Sequence, residues 1–120
     1  MELDDYQVAA IARATHQVNR AYRAALCEPD TGNWAEQPFQ TVQGVMNGVR
    51  AHLANTGISD LESHNNWLKS KKEQGWVYGP VQDNLKKIHP CCIAYEDLPP
   101  DQRAKDAIFG AVIKVVAPLV

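Results

Sequence analysis

Apolar residues recur at helical spacing through the first part of the chain. Between Asp4 and Leu26 they follow one another at alternating steps of three and four, which predicts an amphipathic helix. Its apolar positions are Val8, Ile11, Thr15, Val18, Tyr22 and Ala25. Its other face is predicted to carry mainly Arg13, Gln17, Arg20 and Arg23. A loop rich in turn-forming residues, from Pro29 to Pro38, should follow this helix.

The same spacing predicts three further helices. The second has an apolar face of Val42, Val45, Met46, Val49 and Leu53, and it should end at Asn55-Thr56-Gly57. The third should begin at Ser59 and Glu62, which are spaced as a reciprocal capping box, and end at Gly75. The fourth should run from Leu98-Pro99-Pro100 to about Val116, because proline is favoured in a first turn. Its inward positions are predicted to be Ala104, Ile108, Ala111, Val112 and Val115.

One segment, "GWVYGPVQDNLKKIHPCC" at residues 75–92, has no helical pattern. Its glycines and prolines break helices and long strands alike, so turns are predicted, with short extended pieces around Trp76–Tyr78 and Cys92–Tyr95. The fold class expected is therefore mainly α with minor β, about four helices around an irregular corner. No linker is long enough to separate two domains, so one compact domain is predicted.

Composition narrows the function classes. The chain has 120 residues, 45% of them hydrophobic, and a net charge of −2, which is typical of one globular domain and does not favour a long nucleic-acid partner. Its apolar runs are too short to span a membrane. The acidic start is unlike a signal peptide, and Cys27, Cys91 and Cys92 form no C-x-x-C pair, which favours a reducing compartment. We therefore expect a cytoplasmic protein.

The irregular segment offers several kinds of chemistry. His89 with Cys91 and Cys92 could hold a metal, but vicinal cysteines suit one zinc ion poorly, and nothing in the spacing completes four ligands. A cysteine nucleophile paired with His89 would need a third orienting group that the spacing does not specify. The glycines of "GWVYG" match no phosphate-binding fingerprint. Buried thiols and a histidine that braces a turn are the structural alternative.

A lysine cluster lies beside aromatic residues. Its members are Lys69, Lys71, Lys72, Lys86 and Lys87, and the aromatics are Trp67, Trp76 and Tyr78. Aromatic faces near ammonium groups suit a purine carrying phosphates, because the base can stack and the anion is neutralised. The alternative is that the tryptophans belong to the core and the lysines to a solvated face.

The spacing of rare residues in "SHNNWLKSKKEQGWVYGPVQDNLKKIHPCCIAYEDLPPDQRAKD" resembles that of the ryanodine receptor (RyR) repeat. The matching positions are His64, Trp67, Gly75, Trp76, Tyr78, Gly79, Pro80, Asp83, Lys87, His89, Pro90, Cys91, Tyr95, Leu98 and Pro99. On this resemblance residues 58–120 form the repeat, and residues 1–57 form a helical extension packed against it. That extension looks like the one in short stand-alone RyR-domain proteins of bacteriophages and bacteria.

The resemblance implies an aromatic and polar ligand pocket. Trp67 would stack on a base, Trp76 and Tyr78 would line the wall, and Asp83, Lys87 and His89 could contact ribose or phosphate. From the first helix, Asn19 and Tyr22 could close the pocket, whereas Arg23 is interpreted as solvated surface. Each has a structural alternative: Asp83 as a turn cap, His89 as a brace for Pro90, and Trp67 as a packing residue.

The leading hypothesis is a non-catalytic protein that binds a nucleotide-type ligand, an adenine nucleotide or an ADP-ribose-like molecule, without a metal or cofactor. In a phage setting it could sequester a signalling nucleotide of the host cell. The rival is a protein-interaction or structural module that uses the first helix, and homo-oligomerisation is left open. A hydrolase acting through His89 and a cysteine is a third hypothesis.

Overall fold

Asp4 caps the first helix in the computed structural model, which describes residues 2–120. Its carboxylate accepts the Gln7 N–H at 2.8 Å, and the Gln7 side chain accepts the Asp4 N–H at 2.9 Å. Helix α1 runs over Asp5–Ala25, as the periodicity predicts, and buries Val8, Ile11 and neighbouring small residues. The prediction for Arg23 is wrong, because this residue is buried.

Helices α2 and α3 cover Phe39–Ala54 and Asp60–Glu73 and contact each other. Ser59 caps α3 by accepting the Glu62 N–H at 3.1 Å. The predicted capping box is only half formed, since the Glu62 carboxylate accepts the Ser59 hydroxyl rather than its backbone N–H. Gly75 takes the chain out of α3 with φ +88°, the left-handed conformation that glycine adopts without strain.

Helix α4 covers Pro100–Val116 and continues into a 3-10 turn at Ala117–Leu119. Its core-facing side chains are Phe109, Ile113 and Val116. The inward face was predicted wrongly, because Ala111 is exposed and Val115 is 66% exposed. Residues 107–116 are apolar at nearly every position, so the period alone does not select a face.

The core lies between α1, α2 and α4. Ile11 and Ala12 of α1 and Val49 of α2 are fully buried, and they pack with Val8 and with Ile113 of α4. Helix α3 packs against α4 and α2 and so completes a four-helix arrangement. The predicted fold class is confirmed: within residues 2–120 the structure is mainly helical, with four α-helices and two short strands.

The irregular corner contains those strands, β1 at Val77–Tyr78 and β2 at Ile88–His89. They pair in parallel, with Val77 opposite Ile88 and Tyr78 opposite His89. An isolated antiparallel bridge also joins Asp83 to Ile88. The extended piece predicted at Cys92–Tyr95 is wrong: the chain turns there and enters a 3-10 turn at Tyr95–Asp97. Among residues 2–120, no helix is both long and apolar enough to cross a membrane.

Candidate ligand-binding site

One face of α3 carries three candidate site residues toward the corner. His64, Trp67 and Lys71 are spaced at three and four residues and so lie along the same side of the helix. The corner supplies Trp76, which follows the left-handed Gly75, and His89 from β2. The imidazole of His89 stands edge-on to both indoles, with ring centroids 5.1 Å from Trp67 and 6.2 Å from Trp76. We call Trp67, Lys71, Trp76 and His89 the aromatic corner.

The ammonium group of Lys71 lies against the indoles of the aromatic corner. Its Nζ is 4.6 Å from the ring centroid of Trp76 and 5.8 Å from that of Trp67. A cation at this distance is attracted to the negative face of an indole. Burial lowers the pKa of Lys71 from its ordinary value. The cation is therefore partly desolvated, and it covers an aromatic surface that would otherwise be free to stack.

His89 is held as a neutral imidazole. Its Nδ1 accepts the Cys91 N–H at 3.0 Å, so the proton of the neutral ring is on Nε2. Burial lowers the pKa of His89 to about 4, and the positive charges of Lys71, Lys105 and Arg23 act in the same direction. At neutral pH the ring thus adds an aromatic face and one N–H donor to the corner.

A polar network leads from the corner to α1. The thiol of Cys91 donates to Oε1 of Gln102 at 3.2 Å, and the same oxygen accepts Nζ of Lys105 at 2.7 Å. Glu28 accepts Lys105 at 2.7 Å and the Gln102 amide at 2.8 Å. Arg23 completes the network, with its NH1 atom 3.2 Å from the Glu28 carboxylate. We call Arg23, Glu28, Gln102 and Lys105 the cationic network.

His64 supports Trp67 from behind. The two rings stack with centroids 5.6 Å apart and planes inclined by 29°. Nε2 of His64 donates to the Ile93 carbonyl at 2.8 Å. Burial acts to lower the pKa of His64, but the hydrogen bonds to Asp106 and Ile93 raise it above its ordinary value on balance. The stacked ring fixes the orientation of Trp67 relative to α4.

The sequence-predicted site residues fall into two groups. Trp67, Trp76 and His89 meet in the aromatic corner. Tyr78 lies beside it on β1, paired with His89 through the backbone and 55% exposed. Asp83 accepts the N–H groups of Leu85 and Lys86 at 3.0 and 3.1 Å. It therefore caps its own turn, which agrees with the structural alternative.

The remaining predicted residues lie outside the corner or hold it in shape. Lys87 has φ +56° and donates to the Gln74 carbonyl at 2.7 Å, so its ammonium group ties β2 to the end of α3. The Tyr22 hydroxyl donates to the Asp101 carbonyl at 2.9 Å and joins α1 to the first turn of α4. Asn19 lies one turn before Arg23 on α1 and is half-buried.

Sequence reasoning missed the cationic network. It also missed the position of Lys71 in the aromatic corner. Lys71 was included only as one lysine of a cluster, although its spacing of four from Trp67 indicates a shared helix face. Glu28, Gln102 and Lys105 have no local signal, since tertiary packing alone brings the loop after α1 against α4. Arg23 could be recognised only once the partner of α1 was known.

A sequence model of the RyR domain matches residues 34–116, most of the chain. The chain belongs to the RyR domain family. The matched region of this RyR domain includes α2, the whole corner and α4, and it begins upstream of residue 58, where the motif spacing placed the start of the repeat. Helix α1 and Glu28 precede the matched region, so the cationic network joins residues inside it to residues outside it.

Two open hollows of the RyR domain lie away from the aromatic corner. One of about 540 Å³ follows the outer face of α3 and is lined by Asn65, Leu68, Lys69, Lys72 and Glu73. Another, of about 410 Å³, lies along α1 and has Glu28 in its wall. At the corner, Lys71 and His89 lie against the two indoles, and this chemistry makes it the candidate site. Within residues 2–120, no three or more His, Cys, Asp or Glu side chains are grouped to hold a metal ion.

Proposed function

We propose that this RyR domain is a non-catalytic binding protein for a nucleotide-type ligand, which it takes up at the aromatic corner. The observation that carries the proposal is the Lys71 ammonium group held 4.6 Å from the indole of Trp76 and 5.8 Å from that of Trp67. Two aromatic faces and a cation in one place match the two halves of a nucleotide, its base and its phosphate.

Binding would exchange one set of contacts for another. A purine would replace the Lys71 ammonium over the face of Trp76, and base–aromatic stacking is worth about 1–3 kcal/mol. The displaced ammonium group would then pair with a phosphate, a charge-assisted contact that is stronger than its present one in a desolvated setting. Lys69 and Lys72 on α3 and Lys86 in the corner loop are exposed and would raise the local concentration of an anionic ligand.

The protonation states at the corner favour binding over catalysis. Burial raises the pKa of the Cys91 thiol to about 11, so it is not a thiolate at neutral pH. His89 is neutral, and its Nδ1 is occupied by the Cys91 N–H, so it is not available at that atom as a base. A cysteine nucleophile needs a lowered pKa and a free base, and neither is present here.

The ligand class is an adenine nucleotide or an ADP-ribose-like molecule, following the resemblance to stand-alone RyR-domain proteins. A small protein of this kind, made by a phage, would act by sequestering a signalling nucleotide in the cytoplasm of its host. Such a role needs affinity and abundance but no turnover.

A protein-interaction module is the second candidate, and it is favoured by apolar side chains on the outside of the corner loop. Leu85 is 98% exposed and Val81 is 75% exposed, next to the half-exposed Val77. Large apolar side chains grouped on a surface are typical of contact sites. A homo-oligomer seated on this surface would be dispersed by Leu85→Lys, which light scattering coupled to size-exclusion chromatography measures.

Calorimetric titration with AMP, ADP and ADP-ribose tests the proposed function. Trp67→Leu and Trp76→Leu should each weaken binding by roughly tenfold or more, since each removes one stacking face. Trp34→Phe is the matched control, because Trp34 lies by His16 and the core rather than at the corner. The proposal is overturned if none of the three ligands binds, or if binding is unchanged by both corner substitutions.

A further inference from the structure

We propose that Arg23 and Lys105 form a subsite for a phosphoryl group, and that the carboxylate of Glu28 occupies this subsite when no anion is bound. The inference rests on the proposed function for the nature of the whole ligand, but it concerns different residues. It adds a second phosphate contact, on α1 and α4, to the one that Lys71 would make at the aromatic corner.

The geometry around Glu28 is that of a bound oxyanion. One carboxylate oxygen accepts Nζ of Lys105 at 2.7 Å and lies 3.2 Å from NH1 of Arg23. The other accepts the Gln102 amide at 2.8 Å. Two cations and an amide, contributed by two helices, thus converge on a single anionic group. Glu28 itself lies on the loop after α1 and can leave without disrupting a helix.

Arg23 has a donor that a carboxylate does not satisfy. Its side chain is only 9% exposed. NH2 donates to the Pro29 carbonyl at 3.0 Å and NH1 faces Glu28, but Nε has no acceptor within residues 2–120. A buried N–H without an acceptor costs free energy, so such atoms are rare in native proteins. A phosphoryl group has three terminal oxygens instead of two, and one of them would accept this N–H if the guanidinium turned its Nε–NH2 edge toward the anion.

The surrounding charge also favours an added anion. Lys71, Lys105 and Arg23 are the positive groups that act on His89, and Glu28 is the negative one. The neighbouring carboxylate, Asp106, is paired with His64. His89 and Cys91 are neutral at pH 7, because burial lowers the pKa of the first to about 4 and raises that of the second to about 11. Arg23 and Lys105 therefore face one carboxylate, with Lys71 as a further positive group acting on His89, and a phosphoryl group would balance the excess.

The subsite is accessible and connected to the corner. Glu28 forms part of the wall of the hollow of about 410 Å³ on α1, together with Arg20 and Asp30. Its side chain is 22% exposed, so solvent reaches part of it. On the inner side Gln102 contacts the Cys91 thiol, and the Cys91 N–H contacts His89. A ligand whose base stacks on the indoles would therefore have the cationic network beside it, in the direction of α4.

Glu28→Gln provides the sharpest test, because it removes the resident negative charge but keeps the shape of the side chain. Calorimetric titration with inorganic pyrophosphate should give binding at least about fivefold tighter than in the wild type. Lys105→Met should weaken ADP binding roughly tenfold and leave adenosine binding unchanged, and Lys105→Arg should restore most of the loss. The control is Lys114→Met, at an exposed position in the last turn of the same helix.

The outcomes separate this inference from the proposed function. If ADP and adenosine bind the wild type and neither Glu28→Gln nor Lys105→Met alters anion binding, the subsite is wrong and the aromatic site stands. If adenosine does not bind but Glu28→Gln binds pyrophosphate more tightly, the subsite stands and the nucleotide proposal fails. Circular dichroism checks that each variant is folded. Should Glu28→Gln unfold, the contrast between Lys105→Met and Lys105→Arg decides the question.

Discussion

Nδ1 of His64 lies 3.5 Å from Oδ2 of Asp106, and this pair joins α3 to α4 behind the aromatic corner. Both side chains are largely shielded from solvent, at 3% and 16% exposure. The other ring nitrogen donates to the Ile93 carbonyl, so a protonated His64 has a partner for each N–H. The pair is therefore both a helix–helix contact and the support on which Trp67 is stacked.

The first prediction concerns the pH dependence of this contact. The pKa of His64 is raised in the folded state, so the stabilisation it contributes is complete below its ordinary pKa and is lost as the pH rises through the raised value. Asp106→Asn should cost about 1–2 kcal/mol at about pH 5.5 and much less well above the raised pKa. Urea unfolding of both proteins across this range measures the difference, and a cost independent of pH would contradict the assignment.

His89 should give the opposite dependence. Its folded pKa of about 4 is lowered by burial, so its contribution to stability is present above the ordinary pKa and lost as the pH falls toward 4. The full effect is on the order of 3 kcal/mol. His89→Asn, whose oxygen can accept the Cys91 N–H but does not titrate, should flatten the unfolding free energy between about pH 6.5 and 4. Burial shifts the pKa of His52 in the same direction in both proteins, so their difference isolates His89.

Gly79 is predicted to be intolerant of a side chain. A Cβ at this position would lie 2.2 Å from Cγ2 of Ile88, a branched side chain on β2. Gly79→Ala should therefore destabilise the domain by about 1–3 kcal/mol, and adding Ile88→Leu, which removes that branch, should recover part of the loss. Gly44→Ala is the matched control, since nothing lies within 4 Å there. In the interior of α2 it should stabilise by about 0.5–1 kcal/mol, and denaturant midpoints compare all four proteins.

Thiol reactivity should distinguish the cysteines. Cys27 is exposed, whereas Cys91 and Cys92 are buried and burial raises the pKa of each above its ordinary value. In the native state a disulfide reagent such as dithionitrobenzoate should modify one thiol promptly and the other two only as the corner opens. Cys27→Ser should abolish the fast phase. A fast phase that persists in this variant would mean that the corner is open to solvent.

Helix boundaries were predictable from sequence because they depend on local chemistry. Ser59 and Gly75 act on the backbone within a few residues, and both ends of α3 were predicted from them. The short strands were less predictable, because parallel strands usually need a long crossover connection and these are joined by a single loop. Sequence rules for strands expect a hairpin or a longer crossover. The second extended piece was therefore predicted at Cys92–Tyr95, after the observed β2 at Ile88–His89.

The burial of Arg23, at the end of the polar face of α1, was not predictable from the sequence. Arg23 continues the series of Arg13 and Arg20 along α1, and period alone assigns it to solvent. It is buried because the loop after α1 folds back, which brings Glu28 and Pro29 to its guanidinium group. The tryptophans of the aromatic corner could be grouped from sequence, since they lie close together. The cationic network joins residues 23, 28, 102 and 105, and such a separation leaves no local pattern.

Helix α1 packs more extensively against α4 than against any other helix, although residues 26–99 lie between them. During synthesis, α1 leaves the ribosome long before its main partner exists, so the part of its apolar stripe that packs on α4 remains uncovered until α4 emerges. Closing so long a loop is an entropic barrier that slows folding, even though each helix forms from local contacts. Pairing of β1 with β2 needs no such wait, because the two strands are close in sequence. Assembly would therefore proceed from the middle of the chain outward, and α1 would complete its packing last.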